Sequence, residues 1–521
     1  MVIYKYKLID TGQIVADYSG PNARKFAHES YPFGNKCMRQ SMTKGMNILW
    51  AHGILHPVLA LVCALLFWSC SKKPPEPEVP CQVSIRDTTG GERIGPAEIL
   101  SSLEISPLGW KNLGPVYDWN SLTRQINENK ILGLRLESPV DSDLRHLSGL
   151  TGLQELELID GFQITNAGLS DLNRLTGLQR LYIGSTTITD GGLKHLNGLT
   201  GLKYLDLFDS TKISDRGLQR LKNMTGLTEL VLNKTQITDA GLVHLRSMGG
   251  LQRLDLANTR ISDAGLKYLK SMNGLRALDL SGTRVTDVGL DDLRDLTELQ
   301  GLYFAGSQIT DAGIEHLKSL TGLRALGLTG TQVTDVGLEH LTGLPRLQGL
   351  YLSSTQVTDA GLEHLKGMSA LTQLVLAETR ITNAGLEHLK GLTGLQWLNL
   401  SGTQVTDAGL EHLGSLTGLI QLTLDGTQVT GTGLQHLSGL TGLQMLYLEN
   451  AQVTDVGMEH LTSLTGLIVL ALDGTQITDA GLKRLKNIGG LRFLSLRGTQ
   501  VTNAGAEQLR QSLPGTVIMG K

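Results

Sequence analysis

A 24-residue unit, LQWLNLSGTQVTDAGLEHLGSLTG at Leu395–Gly418, recurs in near-copies from about Ile131 to the C-terminus, and this period constrains the fold more than any other feature. The frame returns at Leu227, Leu251, Leu275, Leu299, Leu323, Leu347, Leu371, Leu419, Leu443, Leu467 and Leu491. Copies beginning at Leu153 and Leu202 each carry one extra residue, and the total is about 16.

Inside one copy, Leu395, Leu398 and Leu400 fall on one side of a short strand, and Trp397, Asn399 and Ser401 fall on the other. A turn follows at Gly402–Val405. Thr406 and Asp407, either of them suited to cap a helix, then precede an apolar helical pattern at Leu410, Leu413 and Leu416. One strand and one helical turn cannot enclose a core, so the copies must stack. Parallel strands stack at about 4.8 Å, whereas the helices behind them need roughly 8–10 Å, so the array bends with its strands inside. The expected fold is α/β: a curved solenoid with parallel strands on the concave face and short helices on the convex face.

The repeat L-x-x-L-x-L-x-x-T-x-[IV]-T-D-A-G-L-x-x-L resembles the cysteine-containing class of leucine-rich repeats. That class is found in F-box substrate receptors and, more distantly, in ribonuclease inhibitor; many bacterial leucine-rich repeat proteins share the TDAGL core. Where the class places Cys or Asn after the strand, this chain has Thr, as at Thr235, Thr331, Thr403 and Thr475. Ser307 keeps the hydroxyl and Ala451 lacks it. A threonine hydroxyl is still able to bond the turn backbone. The resemblance implies partner binding through the concave face and no common chemistry.

Before the array the chain changes character several times. Residues 1–37 carry no usable period, and translation from Met38, Met42 or Met46 would leave them unmade. Residues 38–70 contain an apolar run, Val58–Trp68, with Arg39 and Lys44 before it and Ser69-Cys70 at its end. The run is short for a bilayer span, and the order of basic, apolar and small residues is that of an export signal. It resembles a bacterial lipoprotein signal, which makes Cys70 the expected lipidated residue and mature N-terminus. Phe67 and Trp68 depart from that pattern, which has Leu and a small residue there. The alternative is an uncleaved membrane anchor. Residues 71–80 alternate Pro with Glu and are expected to form an extended spacer. Residues 81–130 break the repeat frame but supply Trp110, Val116, Trp119, Leu122 and Ile126, enough to cover an open core end as an N-terminal cap. The array then runs over 131–512, and 513–521 is expected to close it with a strand at Thr516-Val517-Ile518.

No constellation for catalysis stands out, and no cofactor is expected. Of 13 histidines, ten share one repeat position before a core leucine. Seven are consecutive, from His316 to His460. Equivalent residues on neighbouring helices sit roughly 8–10 Å apart, too far to share a metal whose ligands lie about 2.1 Å away. The aspartate column that includes Asp335, Asp359, Asp407 and Asp479 needs no cation if it caps helices, and Asn383, Gly431 and Asn503 interrupt it. All four cysteines, Cys37, Cys63, Cys70 and Cys81, precede the array and form no zinc or disulfide framework.

The positions that vary while the frame holds carry the functional signal. Most aromatics of the array lie on the concave columns: Tyr182, Tyr204, Phe208, Tyr303, Tyr351, Trp397, Tyr447 and Phe493. Charge on that face is uneven, with Glu and Asp prominent up to Asp279 and none at these positions from Gly301 to Ser401. The expected partner-binding residues are Tyr303, Tyr351, Val375, Trp397, Asn399 and Tyr447. With a net charge of −3, and an acidic stretch beside an apolar one, nucleic acid is not the expected partner; a protein, peptide or glycan is. These readings describe a non-enzymatic scaffold at the cell envelope, facing outside the cytoplasm and held by an N-terminal membrane anchor. An intracellular F-box-like adaptor of a ubiquitin ligase and a purely structural envelope spacer are the alternatives.

Overall fold

The computed structural model describes residues 118–520, and before them the backbone of the strands Lys5–Ile9, Gln13–Asp17, Tyr31–Pro32, Gln82–Arg86 and Lys111–Pro115. The expected export signal, Cys70 and the Pro-rich spacer lie outside the described residues, as do Trp110 and Val116. Two compact units are present, Met1–Glu78 and Val79–Lys521. In the first, the three early strands form an antiparallel sheet.

The second unit is the array. Its alternating leucines build 17 parallel strands in one open sheet, from Gly133–Glu137 to Val517–Met519. Each strand pairs with the next in the same register, so Trp397 lies beside Gln421, Leu398 beside Leu422 and Asn399 beside Thr423. At the N-terminal edge, Gln82–Arg86 runs antiparallel to Gly133–Glu137, and the helix Trp119–Glu128 lays Leu122 and Ile126 onto the core. Asp118 caps that helix, its Oδ1 accepting from the N–H groups of Asn120 and Ser121 at 3.0 and 3.2 Å. At the other edge Val517–Met519 pairs with Phe493–Ser495.

The core is a continuous leucine stack. Leu395, Leu398, Leu400, Leu410, Leu413 and Leu416 are all essentially inaccessible, at 1% exposure or less. Phe304 occupies a leucine position and is fully buried. The helices are shorter than an apolar run from Leu410 to Leu416 suggests: Asp407–Leu410 is α-helical and Glu411–Leu413 continues as 3₁₀. The spacing of three between those leucines matches the three-residue turn of a 3₁₀ helix, which keeps all of them on the core side. Among the described residues, no helix is long and apolar enough to cross a membrane.

Two side-chain columns hold the repeats in shape. The threonine column acts within its own repeat: Thr403 Oγ1 donates to the carbonyl of Leu400 at 2.6 Å and locks the turn, and Ser307 does the same to Phe304 at 2.7 Å. The aspartate column does not cap its own helix, as the sequence reading allowed; the preceding threonine occupies the N-cap. Each aspartate instead reaches the next repeat. Asp335 Oδ1 accepts from the Thr358 N–H at 2.7 Å, and Oδ2 accepts from the Thr358 hydroxyl at 2.6 Å. Asn383 keeps the link to Thr406 with its amide, at 2.9 and 2.8 Å. This column also dictates a glycine in the following repeat. A Cβ at Gly337 would lie 2.5 Å from Asp311 Oδ1, and one at Gly409 would lie 2.6 Å from Asn383 Oδ1. Where Gly431 replaces the aspartate, backbone takes its space: a Cβ there would meet Gly457 N at 2.5 Å.

Candidate binding surface

Each strand presents its first and third residues, and the residue two beyond, on the concave face. Strand register therefore lines up three columns, in which Val375 stands between Tyr351 and Asn399, and Trp397 between Gln373 and Gln421. Tyr303, Tyr351, Val375, Trp397 and Asn399, predicted from sequence, fall on four of five successive strands in one continuous stretch. All five are half-buried.

The two tyrosines use a floor of small residues. Gly327 separates them in the column, and their rings come together above it with centroids 6.5 Å apart. A Cβ at Gly327 would stand 2.6 Å from Cδ1 of Tyr303, so this glycine is required by the ring. In their own strands the rings lie over Gly301 and Gly349, where an added Cβ would sit 3.3 and 3.2 Å from the nearest tyrosine atom. For Gly327 the contact that makes it a seat comes from Tyr303, one repeat away.

The polar groups here are orderly. The Tyr351 hydroxyl donates to Gln373 Oε1 at 2.6 Å. Asn399 Oδ1 accepts from both the N–H and the hydroxyl of Ser401, at 2.9 and 2.7 Å. Burial pushes the Tyr351 hydroxyl up to about 12, and burial with the nearby Asp279 charge raises that of Tyr303. Both rings are therefore neutral donors at physiological pH.

Tyr447 stands apart from the other five. One strand, Gln421–Thr423, separates it from Trp397–Asn399, and its neighbours are the carboxyl groups of Asp425 and Glu449. Burial, with those charges second, holds its hydroxyl above the usual range. Phe208 and Phe493 are 7% exposed and offer little ring surface, and Lys234 covers Phe208 with its ammonium 5.1 Å from the ring centre.

Toward the N-terminus the concave face is made of paired charges. Arg135 meets Glu157 at 2.7 Å, Arg180 meets Glu155 at 2.9 Å and Arg253 meets Glu229 at 3.5 Å, each across neighbouring strands. On the convex side Glu363 and Lys366, and Glu387 and Lys390, are exposed pairs within one repeat. Among the described residues, no three His, Cys, Asp or Glu side chains converge as metal ligands.

Comparison with known families and structures adds to this picture. A leucine rich repeat family model matches residues 345–405, and a second matches 251–270 and 273–293. The chain is similar to an internalin from Listeria monocytogenes, with 26% identity and a TM-score of 0.49 over 63% of this chain and 92% of that one. It is similar to a Leptospira interrogans leucine-rich repeat protein, with 19% identity and a TM-score of 0.49 over 72% and 91%. A third similar structure is the Arabidopsis receptor kinase HAESA in complex with a peptide hormone and a co-receptor, at 18% identity and a TM-score of 0.39 over 68% and 60%. None of the curated proteins compared matches the chain.

Proposed function

We propose that this leucine-rich repeat protein is a non-enzymatic binding scaffold that takes a protein or peptide partner on its concave face, between Gly301 and Ser401. The observation that carries this reading is the neutral stretch itself. Five successive strands present Tyr303, Tyr351, Val375, Trp397 and Asn399 over glycine and alanine, while the flanking strands present charge. Aromatic anchors set in a depression and rimmed by polar groups are what binding surfaces use, because rings bury much area at small entropic cost.

The array is further proposed to be exported and held at the cell envelope through lipidated Cys70, with the Pro-rich spacer lifting it from the membrane. This rests on the order of residues in 38–80. Mass spectrometry of the native N-terminus tests it: a lipid-modified Cys70 is expected, and an unprocessed chain recovered as soluble protein would remove the proposal.

The binding reading is tested by placing a photo-crosslinking residue at Trp397 in the full chain and measuring the affinity of the captured partner. Tyr351→Ala and Trp397→Ala are expected to weaken that binding while leaving the melting temperature nearly unchanged. Equal affinities in wild type and both variants would support a spacer role instead.

A further inference from the structure

The repeat leaves one backbone donor unanswered on the concave face, and the chain answers it in some places and not in others. In a continuing parallel ladder, the N–H of Ser353 would bond the Leu328 carbonyl of the preceding repeat. That carbonyl is taken by the turn of its own repeat: the N–H and hydroxyl of Thr331 both donate to it, at 3.1 and 2.6 Å. The same competition strips the acceptors from Thr329, where Ser307 takes Phe304, and from Ala377, where Thr355 takes Leu352. The threonine that locks the turn therefore orphans a donor one repeat later.

At several repeats around the neutral stretch side chains supply the missing acceptor, and the equivalent donors left open there, at Asn233, Asp425 and Asp473, stand singly between filled ones. Asp255 accepts from Ala257 at 2.9 Å, Asp279 from Ser281 at 2.8 Å and Asn399 from Ser401 at 2.9 Å, each within one repeat. Asp425 and Asp473 serve Glu449 and Arg497 in the following repeats, at 2.8 and 2.9 Å. At Thr329, Ser353 and Ala377, three successive strands, the main-chain N–H finds no acceptor among the described residues. All three residues are half-buried, so their donors are neither sealed in the core nor fully bathed in water.

We propose that these three N–H groups form a donor row that reads the carbonyl oxygens of an uncharged peptide segment, with Tyr303, Tyr351 and Trp397 holding its side chains. The inference rests on the binding reading above and adds the chemistry by which the ligand is recognised. Three observations select the occupant. The side chains in neighbouring repeats show that an oxygen acceptor fits these donors at 2.7–2.9 Å, as Asp206 does for Phe208 and Asp255 for Ala257. Asp279 on one side and the carboxyl pair of Asp425 and Glu449, which carries net negative charge at neutral pH, on the other disfavour an acidic ligand. The stretch offers main-chain donors while its two concave amide oxygens are engaged, Gln373 Oε1 by Tyr351 and Asn399 Oδ1 by Ser401. A peptide carbonyl needs only a donor, whereas a sugar hydroxyl also needs an acceptor.

The test fills the row from within. Val375→Asn places an amide two residues before Ala377, as Asn399 stands to Ser401, and Thr329→Asn places one before Ser353 in the manner of Asp425 and Glu449. The full chain is panned against a displayed random peptide library, enriched peptides are measured by titration, and a glycan array is run in parallel. Expected results are peptides without net negative charge, an affinity loss of about tenfold in each variant, and slowed hydrogen exchange at Thr329, Ser353 and Ala377 in the wild-type complex. Ala471→Asn, which fills the equivalent donor of Asp473 outside the stretch, is expected to change nothing. Unchanged affinity in both variants with unprotected amides overturns the donor row. Enrichment of acidic peptides, binding to glycans alone, or no enrichment over the doubly substituted chain does so as well. If Tyr351→Ala weakens the peptide while Val375→Asn does not, the donor row fails and the binding face stands; if neither does, both fail.

Discussion

The concave faces of the N-terminal repeats and of the stretch from Gly301 to Ser401 share one backbone and one register, yet one satisfies itself and the other does not. Up to Asp279, arginines cross strands to glutamates, and aspartates cover the stray N–H groups of Phe208, Ala257 and Ser281. In the central stretch glycine seats two rings, and three N–H groups have no internal partner. The difference lies in a few side chains facing away from the core, so a solenoid can confine binding to part of its face without altering its fold.

The largest effect is expected from the framework common to both regions. Asp335→Ala removes two bonds to Thr358 and should cost about 2–4 kcal/mol in urea unfolding, because the Thr358 N–H and hydroxyl both lose their acceptor. A loss no greater than that from an exposed convex residue such as Glu363→Ala would break the view that this column ties repeats together.

Next in size is the contrast between the two faces. Asp255→Ala should destabilise by about 1–3 kcal/mol, since it uncovers a donor the fold has dried out. Tyr351→Ala should instead reduce partner affinity by about 2 kcal/mol with little change in unfolding. Similar stability losses in the two variants would erase the distinction between a self-satisfied face and an open one.

A third expectation concerns pH on the acidic flank. Burial, followed by the Glu449 charge, pushes the Asp425 carboxyl up to about 7. The folded chain thus holds a proton that the unfolded chain releases near pH ~4. The stability this site contributes is complete below that pH and is lost as pH rises through about 7. Asp425→Asn should flatten the decline, so the variant's melting temperature should gain on wild type between those limits. A constant difference across the range would refute the assignment.

The smallest effect is local. Glu378 occupies the left-handed turn position that glycine fills in neighbouring repeats, at φ 56° against 65° for Gly402. Glu378→Gly should change stability by less than about 1 kcal/mol, with relief of backbone strain offset by loss of the side chain's contacts and by chain entropy. A larger loss in calorimetry would mean that the Glu378 side chain, and not its backbone, dominates there.

Much of the array was legible because its rules are local. Alternation places Leu398 inside and Trp397 outside, and the 24-residue period aligns Tyr303, Tyr351 and Trp397 on one face. The aspartate column was misread because its partner is not the helix it begins but a threonine 23 residues later. Tyr447 shared the aromatic signature, yet its carboxylate neighbours set it apart from the neutral stretch.

The repeated pattern by itself determined the period, the buried face and the register, since each follows from leucine spacing and the need of every copy for a neighbour. The tertiary structure decided which charges pair, which glycines seat rings and which backbone donors stay open. Those outcomes depend on groups one repeat away competing for the same atom, as Thr331 does for the Leu328 carbonyl that Ser353 would otherwise use.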